Sequence, residues 1–590
     1  MVAAAVAVWA AARLALPKPW AVRGIRPRLP APERLALGAA IGAGLVWAAW
    51  VLRHPGLGTD PLTYHLPASI GWVQNGDAGA VRQVVYEFPV GNYPLVDETL
   101  VSWLLAAGRS FGPALLWAPA MAALTAVAGV TGLRRAGAGA ASAALGVAAI
   151  LFIPIWSALW IGPHTDLGAL AWLACAATLA AAARERRALL VSALLAAGLA
   201  VGTKTTTAPL LLALSLLVVR RPLPARGPLL AAAGAAAVLG GLWYVRNLVE
   251  HGSPLWPFLA TPWGDPIPEI LRGIDVSFLD RLGPSLDGRL DQYAQLLGGA
   301  PLLLLAAPLA ALATRRRPVV IAAAVTVLAA LVWSRAPFTG RAPDPVVDLS
   351  LTTVRYLVPA LSAAVVTLCL AGGRLWTGVL AVSAAVSLYK AVDLGFPDVP
   401  AAATLAMGLV LGMAAARVPP RLLAVGGAAA LAAALLYGGH GFAARHALNP
   451  RLPSSPMIAW LASQPGFAGS KDPVASAPQV FGALAGDRLQ HDIGLIGRTE
   501  PCARVRARRG WIVIGTPPFS RLRAPFTAEN CLSSETPAYQ DPLFRVYDRR
   551  QTATRSSTSS RPSSTSVKSD SSIAAARGSG VRRARSSSAS

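Results

Sequence analysis

The chain has 590 residues, of which 54% are hydrophobic and only 14% are charged. A soluble domain usually carries about 25% charged residues, so this composition excludes an ordinary soluble globular protein. The net charge of +25 comes from basic residues in short clusters between long apolar runs and in the C-terminal tail. This distribution is typical of the cytoplasmic loops of a membrane protein, and we expect no nucleic-acid partner.

The apolar runs are about 15–22 residues long, the length that a helix needs to cross about 30 Å of hydrocarbon. They are apolar all round rather than on one face, which indicates that lipid surrounds the fold. The first run, residues 1–15, lacks a basic start and an Ala-x-Ala site before Pro17. It is therefore interpreted as an uncleaved first helix rather than a signal peptide. Residues 1–438 are predicted to form an all-α polytopic domain with about 12–14 transmembrane helices.

The basic clusters occur at regular intervals, which defines a topology. When they are placed inside, the alternate loops fall outside and are poor in Lys and Arg, as the positive-inside rule requires. Two apolar runs, residues 189–201 and 207–219, are short. They are interpreted as half-helices or as one hairpin. The clusters placed inside contain Lys18, Arg134, Arg184, Arg220, Arg315, Arg374 and Arg417.

The first outer loop, residues 53–110, contains a carboxylate that comes directly after a predicted span. Asp60 and Tyr64 are four residues apart, so a helical turn would place them on one face. Two interpretations of Asp60 remain open and are compatible. Its carboxylate could accept a proton from an incoming hydroxyl group, or it could cap a helix that begins at Pro61.

The same loop ends with two acids, Asp97 and Glu98, before a short apolar stretch at residues 100–107. This stretch is too short to span and predicts an amphipathic helix at the membrane interface. The acids complement the dipole of such a helix at its N-terminus.

Two further outer segments carry polar side chains at predicted helix ends. His164 and Asp166 lie at the start of a helix, where Asp166 could be a cap. Lys204 lies in an outer loop, against the charge pattern. It would be favoured there by an anion such as a phosphate, or it could reach the headgroups with its side chain. Both interpretations of Lys204 remain open.

Two arginines occupy similar positions on later helices. Arg246, followed by Asn247, lies near the outer end of an apolar run, where an arginine is costly and usually has a partner. Arg355 and Tyr356 lie at the outer start of another run. Together with Lys204, the two arginines are predicted to lie at one level and could converge on one phosphate.

These segments resemble the integral-membrane glycosyltransferases of the C-type fold. The resemblance is to the bacterial relatives of the protein O-mannosyltransferases and of the lipid A aminoarabinose transferases. It covers roughly residues 35–370, from the first outer loop to the Arg355 segment. The matching pieces are Asp60 with Tyr64 and His65, His164 with Asp166, Gly202 to Lys204, Trp243 to Asn247, Gly252 to Pro257, and Arg355 to Pro359.

The resemblance implies a polyprenyl-phosphate-linked sugar donor and an inverting transfer on the extracytoplasmic face to a cell-envelope glycan, lipid or protein. It assigns the role of base to Asp60. Pro61 follows Asp60 where the mannosyltransferases often have Glu, which argues against a protein acceptor. Some members need a divalent metal and others do not. The sequence presents no definite ligand set, so a divalent metal stays an open alternative. Substrate or phosphate binding is expected of Tyr64, His65, His164, Asp166, Lys204, Arg246, Asn247, Arg355 and Tyr356.

The C-terminal part differs in composition from the rest. Residues 439–550 are predicted to form a small extracytoplasmic α/β domain, with strands at residues 511–515 and 544–547. In that compartment Cys502 and Cys531 could form a disulfide or remain two free thiols. Residues 551–590 form a Ser/Arg-rich tail that is predicted to be disordered.

A multi-spanning transporter and a non-catalytic cell-envelope scaffold are the alternative functions. Transporters usually place ionisable residues in mid-span and contain internal repeats. The sequence has almost no ionisable residue in mid-span and no convincing repeat. It therefore favours a multi-pass plasma-membrane transferase, with membrane lipids and the lipid-linked donor as partners.

Overall fold

The structure is a computed structural model of the chain. It describes residues 31–55, 60–77, 83–85, 89–157, 159, 162–183, 188–212, 226–268, 271, 277–281, 290–336, 354–393, 406–410, 412–413, 429, 432, 440–442, 445, 455–477, 480–516 and 527–550.

Most of the described chain is helical. The helices up to residue 393 are α1 Ala31–Arg53, α2 Leu66–Asn75, α3 Val96–Gly108, α4 Gly112–Leu115, α5 Trp117–Arg135, α6 Ala140–Leu151, α7 Pro154–Ser157, α8 Thr165–Ala182, α9 Leu189–Thr203, α10 Arg226–His251, α11 Leu290–Leu297, α12 Ala300–Thr314, α13 Arg317–Arg335, α14 Val358–Ala371 and α15 Gly373–Asp393. Short helical turns occur at Pro61–His65, Val90–Asn92, Thr205–Thr207, Leu279–Arg281 and Val354–Leu357.

Six helical segments of the described chain are long and apolar enough to cross a membrane. The bent pair α11 and α12, with an angle of 82° between its halves, adds a seventh if it is one span. Two shorter apolar helices, α6 and α9, lie among them. The six segments are Gly112–Arg135, Thr165–Ala182, Gly227–His251, Arg317–Arg335, Val354–Ala371 and Gly373–Asp393.

Small residues allow α9 and α10 to pack closely. A Cβ atom added to Gly198 would lie 2.6 Å from the carbonyl oxygen of Ala236, and one added to Gly202 would lie 2.2 Å from that of Leu239. Close backbone contact through small residues is how helices associate in lipid, where burial of apolar surface gives little driving force. The packing fixes the end of α9, directly before Lys204.

The two ends of the helical bundle differ in charge. Helix α5 ends at Arg134 and Arg135, and Arg316, between α12 and α13, donates to the carbonyl oxygen of Leu370 at the end of α14. The opposite ends of α8, α9 and α14 meet through Asp166, Lys204 and Arg355, and Arg355 also contacts Asp60. Of the basic residues predicted to share one side, Arg134, Arg135 and Arg316 thus lie away from the predicted outer segments. The clusters at Lys18, Arg184, Arg220 and Arg417 lie outside the described residues.

The described residues of the C-terminal part form four short α-helices and a five-stranded sheet of order β2-β1-β3-β5-β4. Strand β1 is parallel to β2 and β3, and β5 is antiparallel to β3 and β4. The helices are α16 Ser455–Ser463, α17 Pro465–Gly469, α18 Cys502–Ala507 and α19 Thr527–Cys531. The strands are β1 Val474–Ala477, β2 Ile493–Leu495, β3 Trp511–Gly515, β4 Tyr539–Gln540 and β5 Phe544–Asp548.

A disulfide joins Cys502 in α18 to Cys531 in α19. Of the two alternatives left open by the sequence, the structure therefore has the bonded one. The bond ties together two short helices that pack beside the sheet, where Cys531 and Ile512 belong to one buried apolar cluster.

The C-terminal part lies directly against α2. The side-chain amide of Gln74 donates to the carbonyl oxygens of Leu489 at 3.2 Å and His491 at 2.5 Å. The backbone N–H of Val480 donates to the carbonyl oxygen of Val84. The sheet side of the protein thus supports α2, which follows the turn that carries Asp60.

The predicted polytopic α-helical fold with a small C-terminal sheet is confirmed, as are the strands at residues 511–515 and 544–547. The number of spans and the domain boundaries stay predictions. The predicted helix at residues 1–15, the predicted disordered tail and most of the predicted span at residues 207–219 lie outside the described residues.

Candidate functional site

Four helix ends meet at one end of the bundle and bring distant parts of the sequence together. The turn Pro61–His65 follows Asp60, and His164 directly precedes α8. Lys204 follows α9, and Arg355 lies in the turn that leads into α14. Helix ends are natural positions for polar side chains in a membrane protein, because the apolar middle of each helix faces lipid or other helices.

Two acids and two cations form what we call the ion group: Asp60, Asp166, Lys204 and Arg355. An Nη1 atom of Arg355 donates to Oδ2 of Asp60 at 2.7 Å and lies 3.9 Å from Oδ2 of Asp166. The ammonium group of Lys204 donates to Oδ1 of Asp166. The side chains are largely buried, with exposed fractions between 6% for Asp166 and 23% for Asp60. Asp166 thus links the two cations, and the formal charges of the group cancel.

The backbone and side chain of Asp60 favour the chemical interpretation over the capping one. Asp60 has helical backbone angles, φ −60° and ψ −52°, and its side chain makes no capping hydrogen bond. Burial by itself would raise the pKa of Asp60. The nearby charge of Arg355, smaller contributions from His65 and His164, and the hydrogen bond from Arg355 together outweigh burial and hold that pKa well below the usual range. Asp60 is therefore a carboxylate at neutral pH.

Three tyrosines surround the ion group. The ammonium group of Lys204 lies 4.4 Å from the centre of the Tyr356 ring, a distance at which a cation is attracted to an aromatic face. Nη2 of Arg355 donates to the hydroxyl oxygen of Tyr356 at 3.1 Å. Burial and the negative charge of Asp60 raise the pKa of Tyr64, and burial and the neighbouring Tyr356 raise that of Tyr93. All these side chains lie close enough for their charges to interact.

A second polar cluster lies beside the ion group, and we call it the carboxyl pair: Asp97 and Glu98, at the start of α3. Their exposed fractions are 1% and 2%. Oε1 of Glu98 lies 2.5 Å from Nδ1 of His65. The hydroxyl of Ser69 donates to the carbonyl oxygens of His65 and Glu98. His65 is therefore held by Glu98, and α3 is held against α2.

Asp97 is buried between α3, α8 and α9. Its Oδ1 atom accepts hydrogen bonds from Nε1 of Trp172 at 3.2 Å and from the hydroxyl of Thr203 at 3.0 Å. Its Oδ2 atom has no hydrogen-bond partner within the described part of the chain. A Cβ atom added to Gly168 would lie 1.8 Å from Oδ2, so glycine makes room for this carboxyl group. Burial and the adjacent Glu98 raise the pKa of Asp97 to about 8.

His164 is buried close to the ion group. It is 4% exposed, and neither ring nitrogen has a hydrogen-bond partner among the residues that the structure describes. Burial lowers the pKa of His164 to about 3, although the charges of Asp60 and Asp166 act in the opposite direction. The imidazole is therefore neutral at pH 7 and has one N–H donor and one acceptor available for a ligand.

The structure gives Arg246 and Asn247 contacts of a different kind. Nε of Arg246 donates to Glu250, one turn further along α10, at 2.9 Å. The amide of Asn247 donates to the carbonyl oxygens of Asn92 at 2.8 Å and Trp256 at 2.9 Å. Asn247 thus holds two loop segments together. A role of either residue in binding phosphate stays a prediction.

The predicted site residues Asp60, Tyr64, His65, His164, Asp166, Lys204, Arg355 and Tyr356 lie together in space. The carboxyl pair was assigned to a helix dipole at the membrane interface, whereas its side chains are buried against α2, α8 and α9. A signal for this burial exists in the sequence: Asp97 and Glu98 precede a stretch with no basic residue before Arg109, so local pairing within α3 could not neutralise them.

No group of three or more His, Cys, Asp or Glu side chains in the described ranges is arranged to hold a metal ion.

No protein-family model and no curated protein sequence matches the chain. Among solved structures, the chain is similar to the crystal structure of ArnT from Cupriavidus metallidurans in the apo state. The match covers 85% of this chain and 95% of that chain, with 17% sequence identity and a TM-score of 0.47.

Proposed function

We propose that this protein transfers a sugar from a polyprenyl-phosphate-linked donor to a hydroxyl-bearing acceptor of the cell envelope, at the plasma membrane. The observation that carries the proposal is the ion group, in which Lys204 and Arg355 converge on Asp166 at the ends of apolar helices. A lipid-linked donor needs cations at headgroup depth, because its chain lies in the bilayer while its phosphate stays at the interface.

The ion group contains the parts that such a transfer requires. The donor sugar is already activated by phosphate, so the protein has to supply a base, stabilise the leaving group and orient the two substrates. Asp60 accepts the proton of the acceptor hydroxyl as its oxygen attacks the anomeric carbon. The bond between that carbon and the phosphate oxygen breaks, and the electron pair leaves with the phosphate. Lys204 and Arg355 balance the charge on the released polyprenyl phosphate.

Two features support a site on the extracytoplasmic face. Arginines such as Arg135 and Arg316 lie at the end of the bundle opposite the ion group, and such residues are concentrated on the cytoplasmic side of membrane proteins. Disulfides such as Cys502–Cys531 persist in oxidising compartments outside the cytoplasm.

The test is the affinity of the purified protein, in lipid nanodiscs, for polyprenyl phosphate compared with the corresponding polyprenol. The two ligands share the lipid chain and differ only in the phosphate. We expect the phosphate to bind at least about tenfold more tightly, since one charged hydrogen bond contributes about 1.5–3 kcal/mol. Equal affinity for the two ligands, or no binding of either, would contradict the proposal.

A further inference from the structure

The cations of the ion group already have anionic partners inside the protein. Nη1 of Arg355 donates a hydrogen bond to Oδ2 of Asp60 at 2.7 Å, and Nζ of Lys204 donates one to Oδ1 of Asp166. The two carboxylates and two cations give the group a formal charge of zero. A phosphate that approaches this group therefore meets two carboxylates as well as two cations.

The positions of the acids make the carboxylates competitors of an incoming phosphate. A buried charge is costly unless it is paired, so a phosphate group can enter only if it takes hydrogen bonds from Arg355 and Lys204. Arg355 has donors to offer: its Nε atom is buried and has no hydrogen-bond partner within the described ranges. When its N–H groups turn to phosphate oxygens, the hold of Arg355 on Asp60 weakens.

We propose that the donor phosphate binds by exchange of partners, in which it displaces Asp60 from Arg355 and Asp166 from Lys204, so that Asp60 is released as a base only when a donor is present. No covalent bond changes in this step, because each N–H group exchanges a carboxylate oxygen for a phosphate oxygen. The proposal rests on the proposed function and assigns Asp166 as a positioning residue that holds Lys204 before the donor arrives.

The exchange has a chemical consequence for Asp60. Burial raises the pKa of Asp60, and the charge of Arg355 is the main influence that lowers it. When Arg355 binds the phosphate instead of Asp60, its charge lowers the pKa of Asp60 less, and burial then raises that pKa. Asp60 is therefore a stronger base in the donor complex. Without a donor, the paired Asp60 has little tendency to take a proton from water or from an acceptor. Transfer is thereby coupled to the presence of the donor.

The exchange predicts that removal of either carboxylate strengthens the binding of phosphate, whereas most substitutions in a binding site weaken binding. Asp60→Asn and Asp166→Asn keep the size of each side chain and remove the competing charge. Each variant should bind polyprenyl phosphate more tightly than the wild type, by about tenfold, the equivalent of one charged hydrogen bond. The matched control is Asp393→Asn, which removes the carboxylate that lies 3.9 Å from the ammonium group of Lys390 on α15. This control should leave the affinity unchanged.

A second measurement does not depend on these variants. Infrared difference spectra of the wild-type protein, recorded with and without polyprenyl phosphate, should show that protonation of Asp60 moves to higher pH when the ligand is bound. The Asp60→Asn variant identifies the band. The titratable or charged groups around Asp60 are Tyr64, His65, Tyr93, His164, Asp166, Arg355 and Tyr356.

The outcomes separate the inference from the function on which it rests. Tighter binding by both Asn variants, with the upward shift of the Asp60 band, supports exchange. Wild-type binding that is unchanged or weakened in Asp60→Asn, or a band that does not move, overturns exchange and leaves the transferase proposal standing. Failure of the wild type and both variants to bind polyprenyl phosphate overturns the proposed function itself.

Discussion

The ion group and the carboxyl pair lie side by side, and their buried aspartates have different partners. In the ion group, Asp60 and Asp166 each contact a cation. In the carboxyl pair, Asp97 is stabilised by hydrogen bonds from neutral side chains, and burial raises its pKa to about 8. Asp60 and Asp97 are both largely buried, yet their pKa values shift in opposite directions. A nearby cation, rather than burial alone, therefore decides whether such an acid is charged.

The largest expected effect is on the rate of sugar transfer, because a catalytic role is proposed for Asp60 in the ion group and not for the carboxyl pair. Asp60→Asn should lower the rate of sugar transfer by about 10²–10⁴-fold, because general-base catalysis contributes a factor of this size. The rate is measured with a lipid-linked donor and a membrane acceptor fraction. Asp97→Asn, in the carboxyl pair, should have a much smaller effect on the rate. Wild-type turnover in a well-folded Asp60→Asn variant would contradict the assignment of the base.

The next effect concerns stability. Lys204→Met leaves Asp166 with Arg355, at 3.9 Å, as its remaining cation in the ion group. Removal of one partner of a buried ion pair costs about 3–5 kcal/mol, and we expect about 3 kcal/mol here because Arg355 stays close. The free energy of unfolding, measured by denaturant titration in detergent, is the readout.

The control for this prediction is Lys390→Met. Lys390 and Asp393 form an exposed pair, and such pairs contribute about 0–1 kcal/mol. The double variant Lys204→Met/Asp166→Asn should regain stability relative to Lys204→Met, because it no longer buries an unpaired charge. Equal losses for Lys204→Met and Lys390→Met would show that the ion group is not a buried pair in solution.

A smaller loss of stability is expected where Gly168 meets Asp97. In Gly168→Ala the new methyl group would lie 1.8 Å from Oδ2 of Asp97, so the carboxyl group has to move. Overpacking of this kind costs about 1–3 kcal/mol. The control is Gly234→Ala on α10, where an added Cβ atom meets nothing within 4 Å. A Gly168→Ala variant as stable as Gly234→Ala would mean that Asp97 does not occupy this space.

The last prediction is a pH dependence of stability that arises from the carboxyl pair. The pKa of Asp97 is raised from 3.8 to about 8 in the folded protein, so the folded state binds the proton more tightly than the unfolded state. The resulting stabilisation is fully present below about pH 4 and is lost as the pH rises through about 8. Thermal unfolding between pH 6 and pH 9 should therefore show a fall in stability that Asp97→Asn reduces. An unchanged slope in Asp97→Asn would exclude Asp97 as its source.

Much of the fold and part of the site could be predicted from the sequence, for physical reasons. Long apolar runs define spans because every backbone group has to be paired within a helix in lipid. Charged residues at the outer ends of those runs, such as Asp60, Lys204 and Arg355, are conspicuous because only 14% of the chain is charged and its basic residues are predicted to cluster on the other side. The buried strand Trp511–Gly515 was predicted, whereas the strands Val474–Ala477 and Ile493–Leu495 are too short to leave a pattern.

The remaining features depend on contacts between distant residues. Arg246 and Arg355 have the same local pattern in the sequence, yet Arg246 pairs with Glu250 on its own helix and Arg355 pairs with Asp60, 295 positions away. The faces on which the two arginines lie are set by helix packing, which the sequence does not display. The acids of the carboxyl pair complement a helix dipole equally well whether they are exposed or buried, so the dipole by itself does not distinguish the two. The absence of a basic residue before Arg109 is the feature of the sequence that points to burial.

The central claim is that the ion group is the binding site for the donor phosphate. A cryo-electron microscopy structure of the protein in nanodiscs with bound polyprenyl phosphate tests it most directly. We predict that the phosphate oxygens lie within hydrogen-bonding distance of Lys204 and Arg355, and that Asp60 has separated from Arg355. A phosphate bound elsewhere, with the contact between Asp60 and Arg355 intact, would contradict the account.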